Sequence, residues 1–481
     1  MLVTLVLAYL AISLAVGLYA ATRLRGVADY AVAGGRFGMP IATATVFATW
    51  FGAETVLGIP ATFLKENLTG LVADPFSSVA ALALIGLVFA RPIYRLKLLT
   101  IGDYFRGRYN RATEVIVSLC IVFSYIGWVA AQFVALGLAF NVLSGGAIDL
   151  RTGIVIGAAA VLAYTMAGGM LSVALTDFFQ AAVIIAGLVY VAWVVAGLAG
   201  GVERVVASAA DSGRLAFLPP AEPKAVLAFI TSSLIVILGS VPQQDMLQRV
   251  MSAKDEKTAV RASVLGGFLY FAIALIPIFL ICAALLIDAP MVERLITKDH
   301  QSILPTLILE RTPLAVQVVF FGALLSAILS TASSALIGPS VMFAETVLRP
   351  LRPGMGDRAF LWTMRATVGA MGLAVLAMAL TSKLSIYQLV NESTKVVMVA
   401  AFVPLAAGLF WARASAHGAL ASSIAGLASW IVLEAVAPEA TVPPALWGLA
   451  ASGAGMVAGS LLHPRFSAFR RFLLSRGRPA P

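Results

Sequence analysis

The sequence predicts an all-α integral membrane protein with about 13 transmembrane helices. Of its 481 residues, 60% are hydrophobic and only 12% are charged, and the mean hydropathy is +0.97. Soluble domains carry about 25% charged residues. Apolar segments of about 20 residues, the length that crosses a bilayer as a helix, recur along the chain. Two of them are interrupted at corresponding places by glycine, proline and polar side chains.

The predicted spans follow one another without a soluble domain between them, so we expect one transmembrane domain over residues 1–481. They cover residues 1–22, 41–64, 72–95, 114–143, 152–171, 174–199, 225–245, 261–287, 314–345, 362–381, 387–411, 416–436 and 443–462. Both cysteines, Cys120 and Cys282, fall inside spans and therefore predict no disulfide framework.

Basic residues predict the orientation. No positive charge precedes the first span, whereas Arg23 and Arg25 follow it, which predicts an uncleaved segment with its N-terminus outside. If the chain starts outside and crosses the membrane thirteen times, the C-terminus and 23 of the 33 Lys and Arg residues lie in the cytoplasm. The net charge of +10 is then a basic rim at the cell (inner or plasma) membrane rather than a nucleic-acid-binding surface.

The two interrupted spans predict an internal symmetry. The second span contains "FGAETVLGIP" (51–60) and the seventh contains "ILGSVPQQDMLQ" (237–248). They begin two runs of five spans, residues 41–199 and 225–411, and an odd number of spans inverts the second run relative to the first. Broken helices at matching positions indicate the binding site of an inverted-repeat transporter. Residues 1–22 and 416–462 are then extra helices outside the two repeats.

Hydroxyl groups are crowded into the ninth span, "ALLSAILSTASSALIGPS" (323–340). Isolated Ser or Thr residues in membrane helices often bond only to their own backbone or join neighbouring helices. Here five of nine residues carry hydroxyls, and Ser330, Ser333 and Ser334 share one face because they are spaced i, i+3, i+4. Hydroxyls combined with carbonyls freed by a broken helix suit a hard cation such as sodium.

Four charged residues lie at three places inside spans, and each place leaves two interpretations open. Glu54 either binds the solute at a water-accessible midplane site or is a structural carboxylate on the amides of the broken helix. Asp177, after the glycines of "AGGMLSVALTDFFQ" (167–180), either ligates a cation or caps a helix. Glu392 and Lys395 form either an i, i+3 pair on the solute pathway or interfacial residues that snorkel.

An enzyme is not expected. The three histidines, His300, His417 and His463, lie near span ends or in loops, and the sequence contains no zinc-type histidine motif, nucleophile elbow or P-loop. A membrane receptor that senses a small solute is the alternative to a transporter. The chain ends at Pro481 after a short basic tail, which predicts no signalling output domain.

These stretches together resemble the sodium/solute symporter family over nearly the whole chain. "YTMAGGMLSVALTDFFQ" (164–180) is similar to the family's signature region. "GGRFGMP" (34–40), "TIGDYFRGRYN" (100–110) and "QRVMSAKD" (248–255) are also similar. The resemblance implies a five-plus-five inverted-repeat (LeuT-like) core with one extra helix before it and two after it, and sodium as the coupling ion.

The resemblance also implies two sodium sites and a solute site. The first sodium site comprises Ala48, Phe51, Ala327, Ser330 and Thr331; the second comprises Asp177, Ser330, Ser333 and Ser334. The implied solute contacts are Trp50, Glu54, Thr55, Ser78, Trp128, Gln243, Gln244, Asn391 and Glu392. We therefore expect a symporter, functional as a monomer in the lipid bilayer, that imports a small organic solute with two sodium ions by alternating access.

The choline-transporter-like branch of the family is the most similar in "ATW-G" (48–52) and "GWVAAQFVALG" (127–137). The branch binds its substrate in an aromatic cage, which suits a quaternary ammonium ion. This chain keeps Trp50 and Trp128 at cage positions but has Ser78 and Gln243 in place of a tyrosine and a tryptophan. The identity of the solute stays open among a cationic, a zwitterionic and a polar molecule.

Overall fold

The structure is a computed structural model, and it describes residues 1–462. The described chain is built from helices, with one isolated bridge between Phe37 and Ala253 outside them. The membrane-spanning helices are Leu2–Ala21, Met39–Trp50 with Glu54–Glu66, Leu68–Arg95, Arg111–Leu143, Leu150–Leu198, Pro223–Gly239 with Gln244–Ser252, Glu256–Ile287, Leu314–Leu351, Asp357–Thr381, Ile386–Phe410, Ala416–Val436 and Pro444–Leu462. His463 and the predicted cytoplasmic residues Arg465, Arg470, Arg471, Arg476 and Arg478 lie outside the described residues.

The helix Leu150–Leu198 contains two of the predicted spans. Its 49 residues correspond to about 74 Å of helix, more than twice the hydrocarbon thickness of a bilayer. It is broken at Gly169, whose backbone is left-handed (φ 56°, ψ −152°). Counting its two halves as the fifth and sixth spans, and each bent pair as one span, gives the predicted 13 spans within residues 1–462.

The ninth span, Leu314–Leu351, forms the centre of the bundle. Every residue from Phe320 to Met342 is buried, and most of them are small or aliphatic. The first, twelfth and thirteenth spans are peripheral and expose much of their apolar surface. The polar residues of the ninth span are therefore enclosed by protein rather than lipid, as functional polar groups at bilayer depth usually are.

Contacts between loops agree with the predicted topology, in which successive loops lie on alternate sides of the membrane. Phe37 exchanges backbone hydrogen bonds with Ser252 and Lys254 (both 2.9 Å), and the sequence places all three on the inner side. On the predicted outer side, the Leu68 amide donates to the Arg214 carbonyl (3.0 Å). Two ion pairs, Arg95–Glu256 on the predicted inner side and Lys224–Glu439 on the predicted outer side, likewise each join segments of one predicted side.

Candidate functional site

The second span is broken where the sequence predicts it. Its first half ends at Trp50, and Phe51 adopts a non-helical conformation (φ −87°, ψ 81°) before the helix resumes with a bend of 51°. A side chain at position 52 would crowd the break, because a Cβ there would lie 2.6 Å from Glu54 Oε2 and 2.9 Å from Thr331 Oγ1. The Ala53 amide freed by the break donates to Gln132 Oε1 (2.9 Å).

The seventh span is broken at the corresponding place. Its first half ends at Gly239, the second begins at Gln244, and the two halves are bent by 47°. Pro242 lies within the break and has no amide hydrogen to continue the helix. Two broken helices therefore expose backbone and polar side chains in the interior, which is tolerated only where protein or a cavity surrounds them.

A cavity lies between the two breaks, with an empty volume of about 530 Å³ including the part open to solvent. Its lining combines two carboxylates, four aromatic rings, two amides, three hydroxyls and two valines. The lining residues are Trp50, Glu54, Asp74, Ser78, Trp128, Val236, Ser240, Gln243, Tyr270, Tyr387, Val390, Asn391 and Thr394.

Glu54 is buried in the wall of this cavity and is held by two side chains of the fourth span. Trp128 Nε1 donates to Oε1 (3.2 Å) and Gln132 Nε2 donates to Oε2 (2.8 Å). These two donors fix the carboxylate, and each carboxylate oxygen can accept a further hydrogen bond. Trp50, on the other side of the break, packs edge-on against Tyr270 with ring centroids 6.3 Å apart.

Six of the nine predicted solute-contacting residues line this cavity: Trp50, Glu54, Ser78, Trp128, Gln243 and Asn391. The other three lie elsewhere. Thr55 is behind the wall, with its Oγ1 3.2 Å from the Tyr270 hydroxyl. Gln244 Oε1 accepts from the Ile101 amide (2.8 Å), and the partly exposed Glu392 pairs with Lys395 (2.7 Å).

Sequence reasoning missed several lining residues, of which Asp74 is the most important. It occupies "VADPFSS" (72–78), in an otherwise apolar span. The signal that singled out Glu54, a carboxylate at bilayer depth beside a proline, was therefore present here too. Tyr270 and Tyr387 also line the cavity, but they lie in helices without a nearby break, and nothing in their local sequence distinguishes them.

The residues of the first predicted sodium site lie at the break of the second span. Ser330 Oγ is 2.9 Å from the Ala48 carbonyl oxygen and 3.0 Å from that of Ala327. Thr331 Oγ1 is 3.2 Å from the same Ala48 oxygen. Phe51 is the non-helical residue that ends the first half of the span. The site thus offers neutral oxygens, which suit a small monovalent cation.

The second predicted sodium site is centred on Asp177. Ser334 Oγ lies 3.5 Å from Asp177 Oδ2, and Thr49 Oγ1 lies 3.5 Å from Ser334 Oγ. Ser333 Oγ donates to the Ser330 carbonyl (3.1 Å). Asp177 Oδ1 is buried and has no hydrogen-bond partner among residues 1–462. An unpaired buried carboxylate oxygen needs an explanation, and a bound cation is one.

A buried arginine lies beside this second site. Arg249 Nη2 is 3.9 Å from Asp177 Oδ2, and both side chains are almost completely buried. Arg249 Nη1 donates to the Asp245 carbonyl (3.2 Å), and the Asp245 carboxylate accepts from the Tyr125 hydroxyl. Arg249 therefore offsets part of the negative charge of Asp177 without forming a close hydrogen-bonded pair with it.

Comparisons with known proteins identify the family. The model of the sodium:solute symporter family matches residues 30–426. The chain is 29% identical over 452 residues to high affinity choline transporter 1 of Homo sapiens, covering 89% of this chain and 75% of that protein. It is 26% identical over 441 residues to the sodium/pantothenate symporter of Escherichia coli, covering 89% of each.

A solved structure shows the same fold. The substrate-bound outward-open state of a Na⁺-coupled sialic acid symporter superimposes with a TM-score of 0.80 at 21% identity, covering 96% of this chain and 98% of that chain. The predicted fold class, an all-α membrane protein with a LeuT-like core, is therefore confirmed. The chain belongs to the sodium:solute symporter family and is a membrane protein that couples the transport of a small solute to sodium.

Proposed function

We propose that this symporter imports a small organic cation and that Glu54 binds the cationic group. The observation that carries the proposal is the lining of the cavity between the two helix breaks: it contains carboxylates and no Lys, Arg or His among the described residues. Choline, named for the human relative, is a cation, whereas pantothenate, named for the bacterial relative, carries a carboxylate. An acidic cavity suits the first kind of solute and repels the second.

Two sodium ions accompany each solute in this proposal. One is held by oxygens of Ala48, Phe51, Ala327, Ser330 and Thr331, and the other by oxygens of Asp177, Ser330, Ser333 and Ser334. The 2.9 Å contact of Ser330 with Ala48 and the unpaired Oδ1 of Asp177 support the two sites. The two sites differ in charge, since only the second contains a carboxylate.

The proposed orientation in the membrane is inferred from the distribution of the Lys and Arg residues. The N-terminus lies outside and the C-terminus in the cytoplasm of a cell (inner or plasma) membrane, and the monomer is the functional unit. Residues 41–199 and 225–411 form the two inverted repeats. The similar bends of 51° and 47° at corresponding spans support this division, as do the loop contacts that join segments of one predicted side.

Uptake into proteoliposomes tests the proposal. We expect a radiolabelled organic cation to accumulate when an inward sodium gradient is imposed, and not when potassium replaces sodium. Glu54→Gln should lower the apparent affinity for the cation by at least about tenfold, because one charged hydrogen bond is worth about 1.5–3 kcal/mol. Glu439→Gln, which removes an exposed outer carboxylate paired with Lys224, is the matched control. Unchanged affinity in Glu54→Gln would instead make Glu54 a structural carboxylate.

A further inference from the structure

A second carboxylate, Asp74, lines the same cavity as Glu54. It is carried by the third span, and its side chain is buried. Ser78 Oγ donates to Asp74 Oδ1 (2.7 Å), and the Tyr270 hydroxyl donates to the same oxygen. Both of these hydrogen bonds end on Oδ1 and neither on Oδ2. The two donors hold the carboxylate in place while one oxygen stays free for a ligand.

The charges of this cavity are not balanced by the protein. Glu54 is bonded to Trp128 and Gln132, and Asp74 to Ser78 and Tyr270, and all four of these donors are neutral. No Lys, Arg or His is among the described residues that line the cavity. Buried carboxylates are normally paired with a cation. A solute with one positive charge would leave one of the two carboxylates unpaired.

The lining also indicates which kind of cation fits. A quaternary ammonium ion has no N–H group and is held mainly by aromatic faces. Here Asp74 Oδ2 and the remaining lone pairs of the Glu54 carboxylate, together with the side-chain oxygens of Gln243 and Asn391, offer acceptors for N–H donors. The rings of Trp50, Trp128 and Tyr387 add apolar surface to the lining, which suits a short hydrocarbon chain. Charge-assisted hydrogen bonds from ammonium to carboxylate are stronger than neutral ones.

We propose that the solute is a diamine, an organic dication with protonated primary or secondary amino groups, one bound by Glu54 and the other by Asp74. This inference rests on the proposed function and names its substrate class. It assigns Asp74 as a specificity-determining residue: with Asp74 present the site distinguishes two amino groups from one, and N–H groups from methylated nitrogen.

A ligand series on the purified wild-type protein tests the inference without any mutation. Thermal stabilisation in sodium buffer is measured with 1,4-diaminobutane, 1-aminobutane, choline and the bis-trimethylammonium analogue of the diamine. We expect the diamine to give half-maximal stabilisation at a concentration at least about tenfold lower than each of the other three. Equal or tighter binding of choline or of the monoamine would overturn the proposal.

Variants then identify the carboxylates. Asp74→Asn and Glu54→Gln should each abolish the preference for the diamine over the monoamine, whereas Glu439→Gln should keep it. An Asp74→Asn protein that binds ligand and retains the full preference would contradict the role of Asp74. If Asp74→Asn does not fold, Ser78→Ala keeps the carboxylate but removes one of its donors, and a change in the ratio of diamine to monoamine affinity is still expected.

Sodium-driven uptake separates the two proposals. If the diamine binds with the expected preference but does not accumulate when an inward sodium gradient is imposed, the substrate class of the site stands and the proposed import fails. If another solute accumulates with sodium and the diamine does not compete with it, the coupling stands and the diamine inference fails.

Discussion

The contacts of Asp177 distinguish between its two interpretations, a cation ligand and a helix cap. Its carboxylate is buried, one oxygen is unpaired, and its contacts with Ser334 (3.5 Å) and Arg249 (3.9 Å) are long. A helix cap would instead accept short hydrogen bonds from backbone amides. No such bond to Asp177 is present in the described chain, where it lies eight residues after the break at Gly169, well inside the second half of the helix. The geometry therefore favours the cation-ligand interpretation over the cap.

The dependence of uptake on sodium concentration tests the sites residue by residue. Asp177→Asn removes the charged ligand of the second site, so we expect a sigmoidal dependence to become hyperbolic. Ser330→Ala should impair uptake more, because Ser330 is proposed at both sites. Ser326→Ala is the matched control one turn earlier in the same helix, where the hydroxyl bonds to the Gly322 carbonyl (2.7 Å). Unaltered sodium dependence in Asp177→Asn would refute the second site.

Gly52 is a second residue whose replacement gives a definite prediction. In Gly52→Ala the new methyl group would overlap Glu54 Oε2 and Thr331 Oγ1, at 2.6 and 2.9 Å. We expect a loss of solute affinity together with weaker sodium binding, both measured by titrated thermal stabilisation. Gly322→Ala adds the same methyl group to the ninth span, where no atom lies within 4 Å. Loss of affinity in both variants would point to a general effect of added volume.

At the scale of single elements, the breaks were predictable and the orientation of their residues was not. Gly, Pro and polar residues in otherwise apolar segments located both bends. The local sequence could not decide between Gln243 and Gln244, because adjacent residues at the start of a helix point in different directions. Only the packing shows that Gln243 lines the cavity while Gln244 binds the 99–101 segment.

The glycine turn between the fifth and sixth spans was also predictable, and its strain can be measured. Gly169 has φ +56°, and a Cβ there would lie 2.5 Å from the Tyr30 ring. We expect Gly169→Ala to lower the melting temperature, because a conformation with positive φ and ψ near −150° is essentially restricted to glycine and costs another residue about 1–3 kcal/mol. Gly197→Ala, near the end of the same helix with no atom within 4 Å, should not lower it. An unchanged melting temperature in Gly169→Ala would mean that the break is not needed.

At the scale of the whole molecule, hydropathy and charge predicted the number of spans well, because the bilayer fixes the length of each one. The solute cavity was predicted less completely. Its walls come from spans that are distant in sequence, and residues such as Tyr270 reach it only through the packing of continuous helices. The contacts between loops on each predicted side also join residues that are distant in sequence, so only the structure shows them.

Stoichiometry is a property of the whole transporter. With a tenfold sodium gradient and 100 mV, each ion supplies roughly 3.7 kcal/mol from concentration and voltage together. We expect the reversal potential of wild-type protein in proteoliposomes to give two sodium ions per solute. The Asp177→Asn protein, if it transports, should give one. If the wild-type protein transports one sodium ion per solute, only the first proposed sodium site, which has no carboxylate, remains.

The break at Gly52 brings a residue of the proposed solute site next to a residue of the first proposed sodium site. Glu54 Oε2 and Thr331 Oγ1 are both so near the missing Cβ that they lie within about 5.5 Å of each other, the sum of the two distances. If both proposed sites are occupied, a carboxylate in that position acts on the proposed solute and on the first proposed sodium ion. Thermodynamic linkage then requires reciprocity: the factor by which sodium changes the affinity for the solute is the factor by which the solute changes the affinity for sodium.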